Sequence, residues 1–139
     1  MTGFVLDASV ALRWFLGKPV PAYANRVKQF FLKGVRAVVP ALWHLEMSNG
    51  LSVAERRSIL TSSDVDQAVI DLELLVAHAL DIDSDVVSTR QALTTARTFQ
   101  LSAYDAVYLD LARKQRLPLA TLDDKLRVAA GQAGVQLLR

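Results

Sequence analysis

Cysteine is absent from the 139 residues, which excludes disulfides, thiolate zinc sites and a cysteine nucleophile together. Aromatic residues are sparse at 7%, against 52% hydrophobic residues overall, so aliphatic side chains and alanine must fill the core. No apolar run is long enough and free enough of charge to span a membrane. No basic-then-apolar leader with a cleavage site opens the sequence either. Only six glycines occur, and none forms a G-x-G-x-x-G turn, a P-loop or a G-x-S-x-G elbow. Nucleotide cofactors therefore have no cradle, and a serine hydrolase has no nucleophile turn. Histidine is limited to His44 and His78. The expectation is one cytosolic, soluble domain over residues 1–139, large enough for a core without a structural metal.

Charge is patterned although the net value is only +2. Residues 1–60 hold eight Lys/Arg against three Asp/Glu, residues 61–110 two against nine, and residues 111–139 six against two. If the two ends meet in space, a basic surface flanks an acidic one, which suits a phosphate-bearing partner; scattered solvated charge is the competing reading.

What the chain does contain starts at FVLDAS, Phe4 to Ser9. A short apolar run closed by a polar break reads as a strand buried on both faces of a parallel sheet. Helices follow over Ser9–Leu16, which Gly17 and Pro19 stop, and over Ala22–Lys33, where Val27, Phe30 and Phe31 form the apolar stripe. Ala37 to Val39, closed by Pro40, is the next strand, and Ala41 to Gly50 the next helix. On that helix Glu46 shares a stripe with Leu42, Leu45 and Asn49, beside Trp43 and Met47. A carboxylate there needs either an arginine at the rim or a cation.

Residues 51–63 read as a polar connection, and Asp64 to Leu75 as a helix with Val65, Ala68, Val69, Leu72 and Leu75 inward. Ala77 to Ile82 reads as an edge strand, after which Ser84 or Asp85 caps a helix to Phe99 with Val86, Leu93 and Ala96 inward. Asp81, Asp83 and Asp85 lack the glycine and closing glutamate of a calcium loop. In LSAYDAVYLDLARKQRL, Ser102 is the cap with Asp105 three residues on, and Asp110 lies about 140° further around, at about 3.6 residues per turn, pointing elsewhere. Leu117 to Thr121 is a strand, Asp124 to Gln132 a helix, and Val135 to Leu138 a last strand. This alternation calls for a mostly parallel sheet covered by helices on both faces.

Asp7 and Asp123 each follow a strand, and helix capping is the simple account of either one. Adding Glu46 and Asp105 makes four carboxylates that are hard to gather without a cation, because mutual repulsion raises their pKa values or drives them apart. Oxygen-only ligands favour Mg²⁺ or Mn²⁺, whose usual chemistry with such ligands is attack of water on a phosphodiester. A haloacid-dehalogenase-type D-x-D is missing, since DAS stands there, and no lysine ends the LPLAT strand as a receiver domain requires.

VLDASV, WHLEMSN, LSAYDAVYLDLA and LATLDDKL, in this order and spacing, resemble the PIN-domain ribonucleases, most closely the VapC-type toxins of toxin–antitoxin pairs. The resemblance implies a three-layer α/β/α sandwich and a Mg²⁺- or Mn²⁺-dependent endoribonuclease leaving 5′-phosphate and 3′-hydroxyl ends. It implies Asp7, Glu46, Asp105 and Asp123 as the acids that hold metal, with Ser9, Thr121 and Asn49 as supporting polar positions. Asp124 is a second ligand or a cap, and Asp110 is surface. Arg13, Lys18, Arg56, Arg57, Arg113, Lys114 and Arg116 are candidates to hold RNA backbone. Also implied are a cognate antitoxin wrapping the region of Trp14 and Phe15, and a homodimer or toxin–antitoxin hetero-oligomer. The competing expectations are a catalytically idle PIN-like binding module and a metal-dependent DNase.

Overall fold

Four short strands, all parallel, stand in the order β3-β2-β1-β4 in the computed structural model, which describes residues 2–139. The elements run β1 (Gly3–Leu6), α1 (Ala8–Arg13), α2 (Ala22–Leu32), β2 (Arg36–Pro40), α3 (Leu42–Arg56), α4 (Ser62–Ala79), β3 (Leu80–Asp83), α5 (Thr89–Phe99), α6 (Ala103–Gln115), β4 (Leu119–Ala120) and α7 (Asp124–Gln132). The expected α/β order with a parallel, helix-flanked sheet is therefore observed. No helix of the described residues is long and apolar enough to cross a membrane.

Strand β1 lies between β2 and β4, and Phe4, Val5 and Leu6 are fully buried, as a run without polar alternation demands. Phe4 meets Phe30 and Phe31 of α2 at ring separations of 5.9 and 5.5 Å, and the full burial of Phe4 contributes about 1.5–3 kcal/mol. Helix α6 lies across β1, β2 and β4, with α5 packed against it. The sheet grows from β1 to β2 and β3, then returns to add β4 on the other side of β1. That reversal makes the carboxyl ends of β1 and β4 the switch point, where open α/β sheets leave a crevice.

Several expected boundaries move. Helix α3 runs through Gly50 to Arg56, so most of the stretch expected as a polar connection is helical. A Cβ at Gly50 would stand 2.5 Å from a Leu12 methyl, so the glycine serves close approach of α1 and α3 and does not stop the helix. Leu45 is 74% exposed, while Trp43 and Met47 are buried, so the inward face of α3 is rotated from the expected stripe. Helix α4 gains its last turn from Val76–Ala79, leaving only Leu80–Asp83 as the edge strand.

The cap of α5 is Ser88, whose hydroxyl accepts from the Gln91 amide at 3.1 Å. Val86 is 95% exposed in the preceding loop, and Ala92 and Thr95 take the inward positions. Lys114 draws that acidic loop onto α6 by pairing with Asp83 at 3.2 Å and Asp85 at 2.8 Å. Beyond α7 the expected strand is reduced to one parallel bridge, Leu119 to Leu137. Asp110 is not surface: its half-buried carboxylate accepts from the buried Thr95 hydroxyl at 2.9 and 3.0 Å.

Candidate active site

Asp7 follows β1 at the N-cap position of α1 and is 4% exposed, yet its side chain makes no capping bond, which removes helix capping as its purpose. Instead Ser9 Oγ and Thr121 Oγ1 both donate to Asp7 Oδ2 at 2.7 Å, leaving Oδ1 without a side-chain donor among the described residues. Thr121 follows β4, which pairs directly with β1, so the sheet itself brings a hydroxyl 114 positions away to the acid. Ser9 Oγ in turn accepts from the Leu122 amide at 3.0 Å, and Thr121 Oγ1 from the Asp123 amide at 3.0 Å. The two hydroxyls thus fasten the turn after β4 to the tip of β1.

Asp123 does cap: its Oδ1 accepts from the Leu126 amide at 2.9 Å at the start of α7. Its other oxygen receives no such bond among the described residues. Asp124 is exposed in the first turn of α7. On α6 the Ser102 hydroxyl accepts from the Asp105 amide at 3.1 Å, so the cap uses the backbone of Asp105. Glu46, half-buried on α3, accepts from the Tyr108 hydroxyl at 2.6 Å through Oε1. No arginine pairs with it among the described residues. Asn49 is exposed one turn further along α3.

Asp7, Glu46 and Asp105 each feel neighbouring acids. Burial raises the Asp7 carboxyl above its ordinary value, its two hydroxyl donors oppose the rise, and the Asp123 charge adds to it. Burial raises Glu46 as well, opposed by the Tyr108 bond and reinforced by the charges of Asp7 and Asp105. Asp105 is pushed up to about 6, by burial first and then by Asp123 and Asp7, while the Ser102 hydroxyl and Lys125 pull it down. The expected residues Asp7, Glu46, Asp105, Asp123, Ser9 and Thr121 therefore converge on one end of the sheet. Two groups that the sequence reading passed over also belong to this region. Tyr108 reads as core, and Lys125 looks like ordinary helix surface.

No three of these acids, among the described residues, stand close enough to enclose one cation. Three of them are each held by a separate partner: Asp7 by two hydroxyls, Glu46 by Tyr108, Asp123 by the start of α7. The donor chemistry nevertheless fits a hard divalent ion. Mg²⁺ keeps several of its waters and commonly takes only one or two carboxylates directly. Around Asp7 there is acceptor oxygen with no cation paired to it among the described residues.

A linkage consequence can be measured on metal-free protein. The folded pKa of Asp7, Glu46, Asp105 and, away from the site, Asp110 lies above the unfolded value, so the folded state holds the extra protons. Their contribution is complete below about 3.8, the ordinary Asp value, and for Asp105 it is lost as pH rises through about 6. Asp64, Asp81 and Asp85, held low by hydrogen bonds from Thr61, Arg36 and Lys114 respectively, act only at lower pH. In EDTA, melting at pH 5 should thus exceed melting at pH 7.5, and Asp105→Asn should flatten the profile. An unchanged Tm across this range in the parent would contradict the charge crowding.

The basic candidates are mostly peripheral. Arg113 lies 3.9 Å from Asp110, Lys114 is tied to two aspartates, and Arg56 donates to Ser52 at 2.8 Å. Lys18, Arg57 and Arg116 are exposed, and Arg13 is half-buried. Trp14 donates its indole N–H to the Ala24 carbonyl at 2.9 Å and packs with Phe15 against the core. A hollow of about 840 Å³ between α5 and α6 contains none of the four acids.

Comparison with curated proteins finds no match. The crystal structure of PAE2754 from Pyrobaculum aerophilum is similar, with 21% identity and a TM-score of 0.67, over 92% of this chain and 84% of that one. At that identity the likeness speaks to fold. The PIN domain family matches residues 4–132. By that match the chain belongs to the PIN domain family, whose fold is generally that of a nuclease using divalent metal ions.

Proposed function

We propose that this PIN domain is a Mg²⁺- or Mn²⁺-dependent endoribonuclease and the toxin of a toxin–antitoxin pair. The observation that carries the hydrolase reading is the gathering of Asp7, Glu46, Asp105 and Asp123 at the carboxyl ends of β1 and β4, with Asp7 and Glu46 held by neutral hydroxyls and paired with no cation among the described residues. The choice of RNA and of the toxin role rests on the likeness of VLDASV, WHLEMSN, LSAYDAVYLDLA and LATLDDKL to VapC-type toxins.

Asp7, Glu46, Asp105 and Asp123 would hold the metal, directly or through water. A bound divalent ion supplies Lewis acidity, lowering the pKa of water from about 15.7 toward neutrality and steadying charge on the phosphoryl group. The chain's own part is orientation. Ser9 and Thr121 hold Asp7 by one oxygen, Asp123 is fixed by the start of α7, and Glu46 is held by Tyr108. Burial removes competing water from Asp7. The exposed cations Lys18, Arg57 and Arg116 are available to the phosphate backbone. The region around Trp14 and Phe15 is proposed to face the antitoxin, and homodimers or toxin–antitoxin hetero-oligomers are the expected assemblies.

Purified protein should cut single-stranded RNA in Mn²⁺, leaving 5′-phosphate ends, and leave flap DNA intact. Preferential cutting of the flap substrate would make it a DNase, and cutting of neither would favour a binding module. Growth arrest on expression, relieved by the product of an adjacent small reading frame, would establish the toxin role.

A further inference from the structure

Tyr108 is fully buried, and a buried phenol needs a partner for its hydroxyl. That partner is Glu46 Oε1 at 2.6 Å, within the short range typical of a hydroxyl bonded to a carboxylate. The bond joins α6 to α3 across 62 positions of sequence, and Tyr108 stands one helical turn after Asp105. This buried group thus links Glu46 to the helix that carries Asp105. Glu46 has no other hydrogen bond among the described residues, so without Tyr108 its carboxylate would be free to rotate.

We propose that Tyr108 is a positioning residue for the metal centre, tying Oε1 of Glu46 and so fixing the carboxylate that would help to hold a divalent ion. This rests on the metal-dependent reading above and adds to it a residue that holds a ligand. A phenol that only fills the core would support stability without regard to Glu46. A positioning phenol acts through Glu46, and a double-mutant cycle separates the two roles.

Mn²⁺ affinity, read by titration calorimetry at pH 7.5 on the full chain, is compared in the parent, Tyr108→Phe, Glu46→Gln and the double variant. Tyr108→Phe is expected to weaken binding about 10- to 100-fold, the usual cost of removing a group that orients a ligand. It should weaken it no further when Glu46 is already Gln. Parent-like affinity in Tyr108→Phe, or the same fractional loss in both backgrounds, overturns the proposal. Independently of folding in that variant, Mg²⁺ should shift the Tyr108 hydroxyl proton resonance in the parent but not in Glu46→Gln; an unmoved resonance in Mg²⁺-bound parent also overturns it. A parent that binds neither ion defeats the metal-dependent reading itself, and this one with it.

Discussion

On the endoribonuclease reading proposed above, the Asp7→Asn variant is expected to lose RNA cleavage by about 10²- to 10³-fold, the range for removing one preorganised group at a charged transition state. It should melt at the same temperature as the parent or slightly above. The two outcomes come from one feature. Asp7 is 4% exposed, so its charge is carried at a desolvation cost that nothing among the described residues offsets with a cation. Asn keeps the shape and an oxygen to accept from Ser9 and Thr121, and it removes the charge. A residue needed for folding would show the reverse, lower Tm with residual activity per folded molecule unchanged. Cleavage, Tm and growth arrest measured together decide the matter. Undiminished cleavage would remove Asp7 from the chemistry.

The second large effect is stabilisation by metal. Mn²⁺ at about a hundred times its Kd should add about 2.7 kcal/mol to folding free energy. At roughly 4 °C per kcal/mol for a chain of this size, Tm rises by about 10 °C. Binding requires deprotonated carboxylates, so the rise should be larger at pH 7.5 than at pH 5, where Asp105, with its pKa of about 6, keeps its proton. Metal and pH therefore act in opposite senses: the apo protein gains from protons what the loaded protein gains from the ion. Asp7→Asn should remove most of the shift. A binding module without a metal centre would melt at one temperature with and without Mn²⁺.

Much of the site is legible in sequence because its acids break local rules. Asp7 follows three apolar residues, and Asp123 follows a strand that must lie in the same sheet; parallel pairing then brings both tips to one edge. Glu46 is conspicuous beside Trp43 and Met47. Other features are hidden for physical reasons. Tyr108 looks like any core aromatic, since only the bond to Glu46, 62 positions away, reveals its hydroxyl's use. Gly50 reads as a stop because glycine favours helix ends, whereas packing against Leu12 requires it mid-helix. Leu45 and Leu93 are apolar yet exposed, so periodicity misplaced the inner faces of α3 and α5. Asp110 carries no local sign of Thr95, which approaches from the neighbouring helix.

The pairing of β1 with β4 joins the beginning of the chain to residues 119 and 120. During synthesis Asp7 leaves the ribosome long before Thr121, and at about 5–20 residues per second the interval is several seconds or more. Over that time the first strand lacks one of its two neighbours, and Asp7 lacks one of its two hydroxyl donors. Such distant pairing also makes the last docking step slow relative to local helix formation. A nascent or truncated chain is consequently without the assembled centre. On the proposed reading, a host is exposed to no nuclease until Thr121 and its strand have been made and have docked.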